Sequence, residues 1–182
     1  MLSTNETPRR ATGRVPGEPI AVLGQSPAIA AVRAYLPKVA RSDATVLVTG
    51  PTGTGKERVA SAVHALSARQ KAPFIALNCA AIPDGLLESE LFGWERGAFT
   101  GAVHATKGKA ALADKGTLFL DEIGEMSPLA QSKLLRLLET REIMPLGAAR
   151  PVPVDIRVVA ATNQELEDLS QVGSFATTFT TA

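Results

Sequence analysis

Three groups of residues have the types and spacing that phosphate chemistry requires. The first is Gly50-Pro51-Thr52-Gly53-Thr54-Gly55-Lys56. Its glycines let the backbone curl so that successive N–H groups converge on phosphate oxygens. A helix opening at the end of such a loop adds its positive terminus. Lys56 supplies a mobile cation for β- and γ-phosphates. The general loop pattern ends in Ser or Thr, whose hydroxyl binds Mg²⁺, and here Glu57 follows instead. The bland reading is a glycine-rich turn with a surface lysine. The second group is Leu118-Phe119-Leu120-Asp121-Glu122, an apolar run ending in two carboxylates. Asp121 is suited to hold Mg²⁺, directly or through water, and Glu122 to orient and polarise an attacking water. The alternative is a solvated pair at the N-terminus of the next helix. The third is Asn163, which closes VDIRVVAATN in the position of a polar sensor of the γ-phosphate. A lone Asn at a strand end also serves as a turn residue.

These groups need a scaffold that brings them to one edge. ATVLVTG (44–50) is a short apolar run rich in β-branched residues, directly before the glycine loop, and reads as a buried strand. Further strands are expected at 72–78, 116–122 and 154–163. Helices are expected over 28–40, 57–69, 86–92 and after Ser127-Pro128, a good cap followed by a good first-turn residue. Pro37 is expected to kink or end the first helix. Strands alternating with helices imply an α/β fold with a parallel sheet. The 116–122 strand is expected to lie beside the 44–50 strand, so that its acidic end faces the phosphates.

Bulk properties set outer limits. The chain has 182 residues, 45% hydrophobic and 20% charged, with a net charge of +1. That suits one domain plus a tail and is no basic surface built to neutralise DNA phosphates. Residues 1–19 are polar and rich in Pro, reading as a flexible leader without the apolar stretch of a signal peptide. No segment is long and apolar enough to cross a membrane, and the single Cys79 fits a cytoplasmic location. Cys79 reads as a small core residue. His64 reads as a surface or packing residue and His104 as exposed, too scattered for a metal site.

GPTGTGKE, LNCAAIP, ESELFGWERGAFTGA, GTLFLDEIGEM and VDIRVVAATN together closely resemble the AAA+ domain of sigma-54-dependent activators, the bacterial enhancer-binding proteins. The likeness runs from about Val22 to Asp168. It implies a P-loop NTPase fold of three αβα layers around a parallel sheet. It implies ATP and Mg²⁺ as ligands, and a ring, usually hexameric, in which hydrolysis moves loops against RNA polymerase carrying sigma-54. In this family the phosphate loop ends in Gly-Lys-Glu, so Glu57 is in keeping. Asn78 resembles the switch that holds Glu122 from water, and Leu23 and Gly24 resemble part of the adenine pocket. Gly97-Ala98-Phe99-Thr100-Gly101-Ala102 resembles the loop that contacts the sigma factor. Glycines at both ends permit hinge-like changes there, and an exposed Phe99 suits a binding anchor. Trp94 stands where the family often has His. It either packs at the loop base or adds an apolar contact.

The likeness fades after Asn163. Ala176 and Ala182 stand where the family carries arginine fingers, and residues 169–182 read as a divergent tail. The chain is expected to lack the fifth strand, the helical lid and a DNA-binding domain, leaving 46–50 as an unpaired sheet edge. An uncharged, Thr-rich tail of this kind is expected from a frameshift or premature stop. Two functions compete: an ATPase that remodels sigma-54 polymerase, and a non-hydrolysing module that binds nucleotide or sigma factor only.

Overall fold

The structure is a computed structural model, and it describes residues 26–163. The leader 1–19, Leu23, Gly24 and everything from residue 164 on, including Ala176 and Ala182, lie outside the described residues. The expectations of a missing fifth strand and lid fall there too.

The chain opens with α1 (Pro27–Arg41), capped by the Ser26 hydroxyl, which accepts from the Ile29 N–H. Then come β1 (Val46–Thr49), α2 (Lys56–Ala65), β2 (Phe74–Asn78), a 3₁₀ turn (Cys79–Ala81) and α3 (Asp84–Phe92). The short strands β3 (Gly93–Trp94) and β4 (Thr106–Lys107) pair antiparallel, followed by α4 (Lys109–Leu112). Next are β5 (Thr117–Asp121), a second 3₁₀ turn (Ile123–Glu125) and α5 (Pro128–Thr140). A second small antiparallel pair joins β6 (Glu142–Ile143) to β7 (Val152–Pro153), and β8 (Arg157–Thr162) closes the described chain.

The main sheet is parallel, in the order β1-β8-β5-β2. This corrects one expectation: β5 is not beside β1, because β8 lies between them. Every residue of β8 is buried, as an apolar strand with neighbours on both edges requires. β1 is partly exposed and is the outermost strand on its side among the described residues.

Alternate side chains of the central strands serve opposite faces, which makes three layers. Leu118, Leu120, Val158 and Ala160 pack with Leu87, Leu91, Leu134 and Leu137 of α3 and α5. Phe119, Val159 and Ala161 pack with Leu36 of α1 and Ala60 and Val63 of α2. Period-two alternation with apolar residues on both faces is what helix-covered parallel strands demand.

Of the two outcomes expected at Pro37, the helix does not end there: it runs on to Arg41. Proline removes one helical hydrogen bond, but Pro37 and Arg33, whose carbonyl loses its donor, are exposed to water. The last turn is held from outside. Leu36 and Ala40 are buried, and the Arg157 guanidinium donates to the carbonyls of Val39 (2.7 Å) and Ala40 (3.1 Å). Arg157 itself is 1% exposed, and burial pulls its pKa down.

Arg69 ties together the loops that lead into the sheet. Its guanidinium grips Asp43 twice, at 2.6 and 3.0 Å, and Asp155 at 2.8 Å. The segments before β1 and β8 are thereby fixed to the one before β2. His64 is a packing residue: it is buried, with Nδ1 2.9 Å from the Thr117 hydroxyl and its ring against Phe74.

Candidate nucleotide site

Register decides which side chains meet. Thr49 is opposite Thr162, and Asn78 is opposite Asp121. The carboxyl ends of all four strands therefore finish level, and the residues just beyond them share one crevice. This is where open α/β sheets bind ligands.

Between β1 and α2 the loop braces itself. The Thr54 hydroxyl and N–H both donate to the Pro51 carbonyl, at 2.7 and 3.3 Å. Gly53 (φ +81°) and Gly55 (φ +89°) are left-handed, a conformation that costs other residues a Cβ clash. Gly50 donates to the Thr162 carbonyl at 3.2 Å, which fastens the loop's start to β8. Lys56, the first residue of α2, is only 7% exposed. Its Nζ donates to the Gly50 carbonyl and to Glu122 Oε1, both at 3.1 Å.

Glu122 follows β5 in a left-handed conformation (φ +54°), which turns its side chain back toward the loop. Its second oxygen accepts the Asn163 N–H at 3.1 Å. Asp121 Oδ1 accepts the Glu122 N–H, also at 3.1 Å. Thr52, Gly53, Gly55, Lys56, Glu57, Asn78, Asp121, Glu122 and Asn163 line one cavity of about 480 Å³. Gly50, Pro51 and Thr54 belong to the same loop but are not among the residues that line the cavity. Ala80 and Glu125 line it too, and sequence reasoning missed both. Glu125 stands three positions after Glu122, and that spacing was the available signal.

The Asn78 oxygen accepts the Ala81 N–H at 3.2 Å and so caps the 3₁₀ turn after β2. Glu122 is held by Lys56 and the Asn163 backbone instead. Next to Asn78, burial pushes the Cys79 thiol up to about 12, with the nearby Asp121 charge adding to the effect.

Among the described residues, Asp121, Glu122, Glu57 and Glu125 share the cavity with one ammonium, that of Lys56. Such a set of hard oxygens suits a divalent cation that arrives with phosphates attached. Among the described residues no cluster of His, Cys, Asp or Glu makes a metal cage by itself.

Gly97–Ala102 lies apart from this cavity, between β3 and β4. Its backbone folds on itself: Gly97 donates to Ala102 at 2.8 Å, and Ala102 donates to Phe99 at 3.0 Å. Gly97 (φ +83°) and Gly101 (φ +100°) supply the turns. Phe99 is 47% exposed at the tip. The base is clipped to the β6–β7 connection, which the sequence did not reveal. Leu146 donates to Gly93 and accepts from Glu95, both at 2.9 Å, and Gly147 sits against Ala98. Trp94 packs at the base, with its indole N–H donating to the His104 carbonyl at 3.0 Å. His104 is exposed, as expected.

Known proteins resemble this chain in sequence and in fold. The chain is 58% identical over 147 residues to the Nif-specific regulatory protein of Bradyrhizobium diazoefficiens, covering 81% of this chain and 25% of that protein. It is 51% identical over 154 residues to the anaerobic nitric oxide reductase transcription regulator NorR of Aeromonas hydrophila, covering 85% and 30%. The chain thus spans between a quarter and a third of these relatives' length. Among solved structures, NtrX from Brucella abortus in complex with ADP superposes with a TM-score of 0.75 at 36% identity, covering 83% of this chain and 32% of that one. The P-loop NTPase domain of a sigma-54 activator from E. coli shares the fold alone, with a TM-score of 0.57 at 18% identity, covering 87% and 93%. With residues 22–180 matching the model of the sigma-54 interaction domain, this chain belongs to that family, the AAA+ domain of bacterial enhancer-binding proteins.

Proposed function

We propose that the chain binds ATP with Mg²⁺ in the cavity behind Lys56 and hydrolyses it, and that the Gly97–Ala102 loop acts on RNA polymerase carrying sigma-54 to regulate the start of transcription. One observation supports this above the rest. The Lys56 ammonium and the Glu122 carboxylate meet at 3.1 Å across a cavity that Asp121, Asn78 and Asn163 also line.

The roles follow from position. Loop N–H groups between Gly50 and Lys56, with the N-terminus of α2, take the phosphate oxygens. Lys56 exchanges Glu122 for the β- and γ-phosphates. Glu122, released from the ammonium but still held by the Asn163 N–H, orients the attacking water. Asp121 is the carboxylate that would hold Mg²⁺, whose charge offsets that on the phosphates. Asn163 joins the two halves, since its strand also fastens the phosphate loop through Thr162. Asn78 reaches Glu122 by giving up its bond to Ala81. By the family resemblance, Leu23 and Gly24 would take part in binding the adenine. In a ring, homologous subunits complete one another's sites.

The test is steady-state ATPase activity with rising protein concentration, alongside ADP binding by calorimetry. Turnover that climbs with assembly supports the reading. Nucleotide binding with flat background turnover leaves a binding module in its place. No nucleotide binding at all refutes both.

A further inference from the structure

We propose that Trp94 is a positioning residue for the partner contact: its indole is a fixed seat on which Phe99 is set before the sigma factor arrives. This rests on the reading of the Gly97–Ala102 loop as the partner-binding element.

Trp94 is held on three sides. Its backbone pairs with Thr106 across β3–β4 and bridges to Leu146, and its ring N–H is tied to the His104 carbonyl at 3.0 Å. Phe99 lies on a loop with a left-handed glycine on each side, at Gly97 and Gly101. A ring on such a loop has little to fix it except what it touches. It touches the indole, with centroids 5.7 Å apart and planes inclined at 58°. That distance and tilt fall in the range that aromatic pairs favour. One side of Phe99 is covered while 47% of it stays exposed, and Val103 beside it is 65% exposed. The seat therefore presents Phe99 rather than hiding it. Ordering an aromatic anchor in advance lowers the entropy that a partner must otherwise supply on binding.

The test uses the whole chain, whose only tryptophan is Trp94. Excitation at the red edge isolates its emission from that of Tyr35. Phe99→Ala uncovers the indole, so the emission shifts to the red and quenching by acrylamide rises. Unchanged emission and quenching mean that no seat exists. The second measurement is fluorescence anisotropy with labelled, purified sigma-54. Trp94→Ala weakens binding about 3- to 10-fold, the range of an aromatic pair. Trp94→Phe, which keeps a ring under Phe99, stays within about 2-fold. A purely structural role for Trp94 predicts loss of ADP affinity and of thermal stability in Trp94→Ala, with no rescue by Phe. Equal binding by wild type and Trp94→Ala overturns the seat and leaves the functional reading standing. No sigma-54 binding by the wild-type chain overturns that reading, and the role of the seat with it.

Discussion

Lys56 and Glu122 should be energetically coupled in the empty site, and the coupling should oppose nucleotide binding. Their side chains are 6% and 13% exposed, and the charges lie 3.1 Å apart. At that distance the gross attraction is about 5 kcal/mol for an effective dielectric of about 20. Loss of hydration offsets much of it, leaving a net charge-assisted bond of about 1.5–3 kcal/mol. Lys56→Met leaves a buried carboxylate with only the Asn163 N–H and should cost about 3 kcal/mol. Glu122→Gln keeps the shape and should cost about 1–2 kcal/mol. The double variant should be less damaged than the sum, by the coupling. The assay is urea denaturation of all four proteins without nucleotide, read as a double-mutant cycle. A second readout follows from the same bond. Phosphate must displace Glu122 from the ammonium, so Glu122→Gln should bind ADP roughly tenfold more tightly. Additive stabilities within about 0.3 kcal/mol, with unchanged ADP affinity, refute the reasoning.

Other substitutions and conditions probe the frame. Gly93 is left-handed (φ +80°), and a Cβ there would lie 2.4 Å from the Thr106 carbonyl oxygen. Gly93→Ala should therefore cost about 3 kcal/mol and lower Tm by about 6–12 °C in a calorimetric scan, and an unchanged Tm contradicts the packing described. Asp43 and Asp155 both titrate below the usual 3.8, first because the Arg69 side chain hydrogen-bonds each of them. A depressed carboxylate stabilises the fold above its unfolded value. That stability drains away as pH falls from about 5 through the lowered folded values. Arg69→Ala should flatten this acid limb in denaturation curves, and an identical limb contradicts the role of Arg69. The Cys79 thiol, 2% exposed and pushed up to about 12, should ignore a thiol reagent at neutral pH until the chain unfolds. Rapid labelling of the native chain counts against its burial.

Local pattern carried most of the elements. The four long strands were legible as apolar runs, and α5 was legible from Ser127, Pro128 and the recurring leucines. The cavity was legible because Lys56, Asp121, Glu122 and Asn163 all follow or flank strands, and parallel strands finish at one edge. Strand order was not legible. The connections allowed β5 beside β1, and only the burial of all of β8 decides between the two. Pro37 does not end α1, because its cost is local while Arg157, 120 positions on, holds the helix end from outside. The Leu146 clip was invisible for another reason. Backbone bonds between two-residue strands leave no periodicity to read. The bond from Lys56 to Glu122 likewise joins residues 66 positions apart, and two roles assigned separately turned out to share one contact.

The two hydrogen bonds of Leu146, one to Gly93 and one from Glu95, have a mechanical meaning. Glu122 opens the 3₁₀ turn that leads into α5, and β6, just past the end of α5, leads to Leu146. One continuous run of chain therefore joins the cavity of Lys56 and Glu122 to the stem of the outer loop. Any shift of Glu122 on meeting a phosphate would reach that stem along a covalent path that ends in two hydrogen bonds.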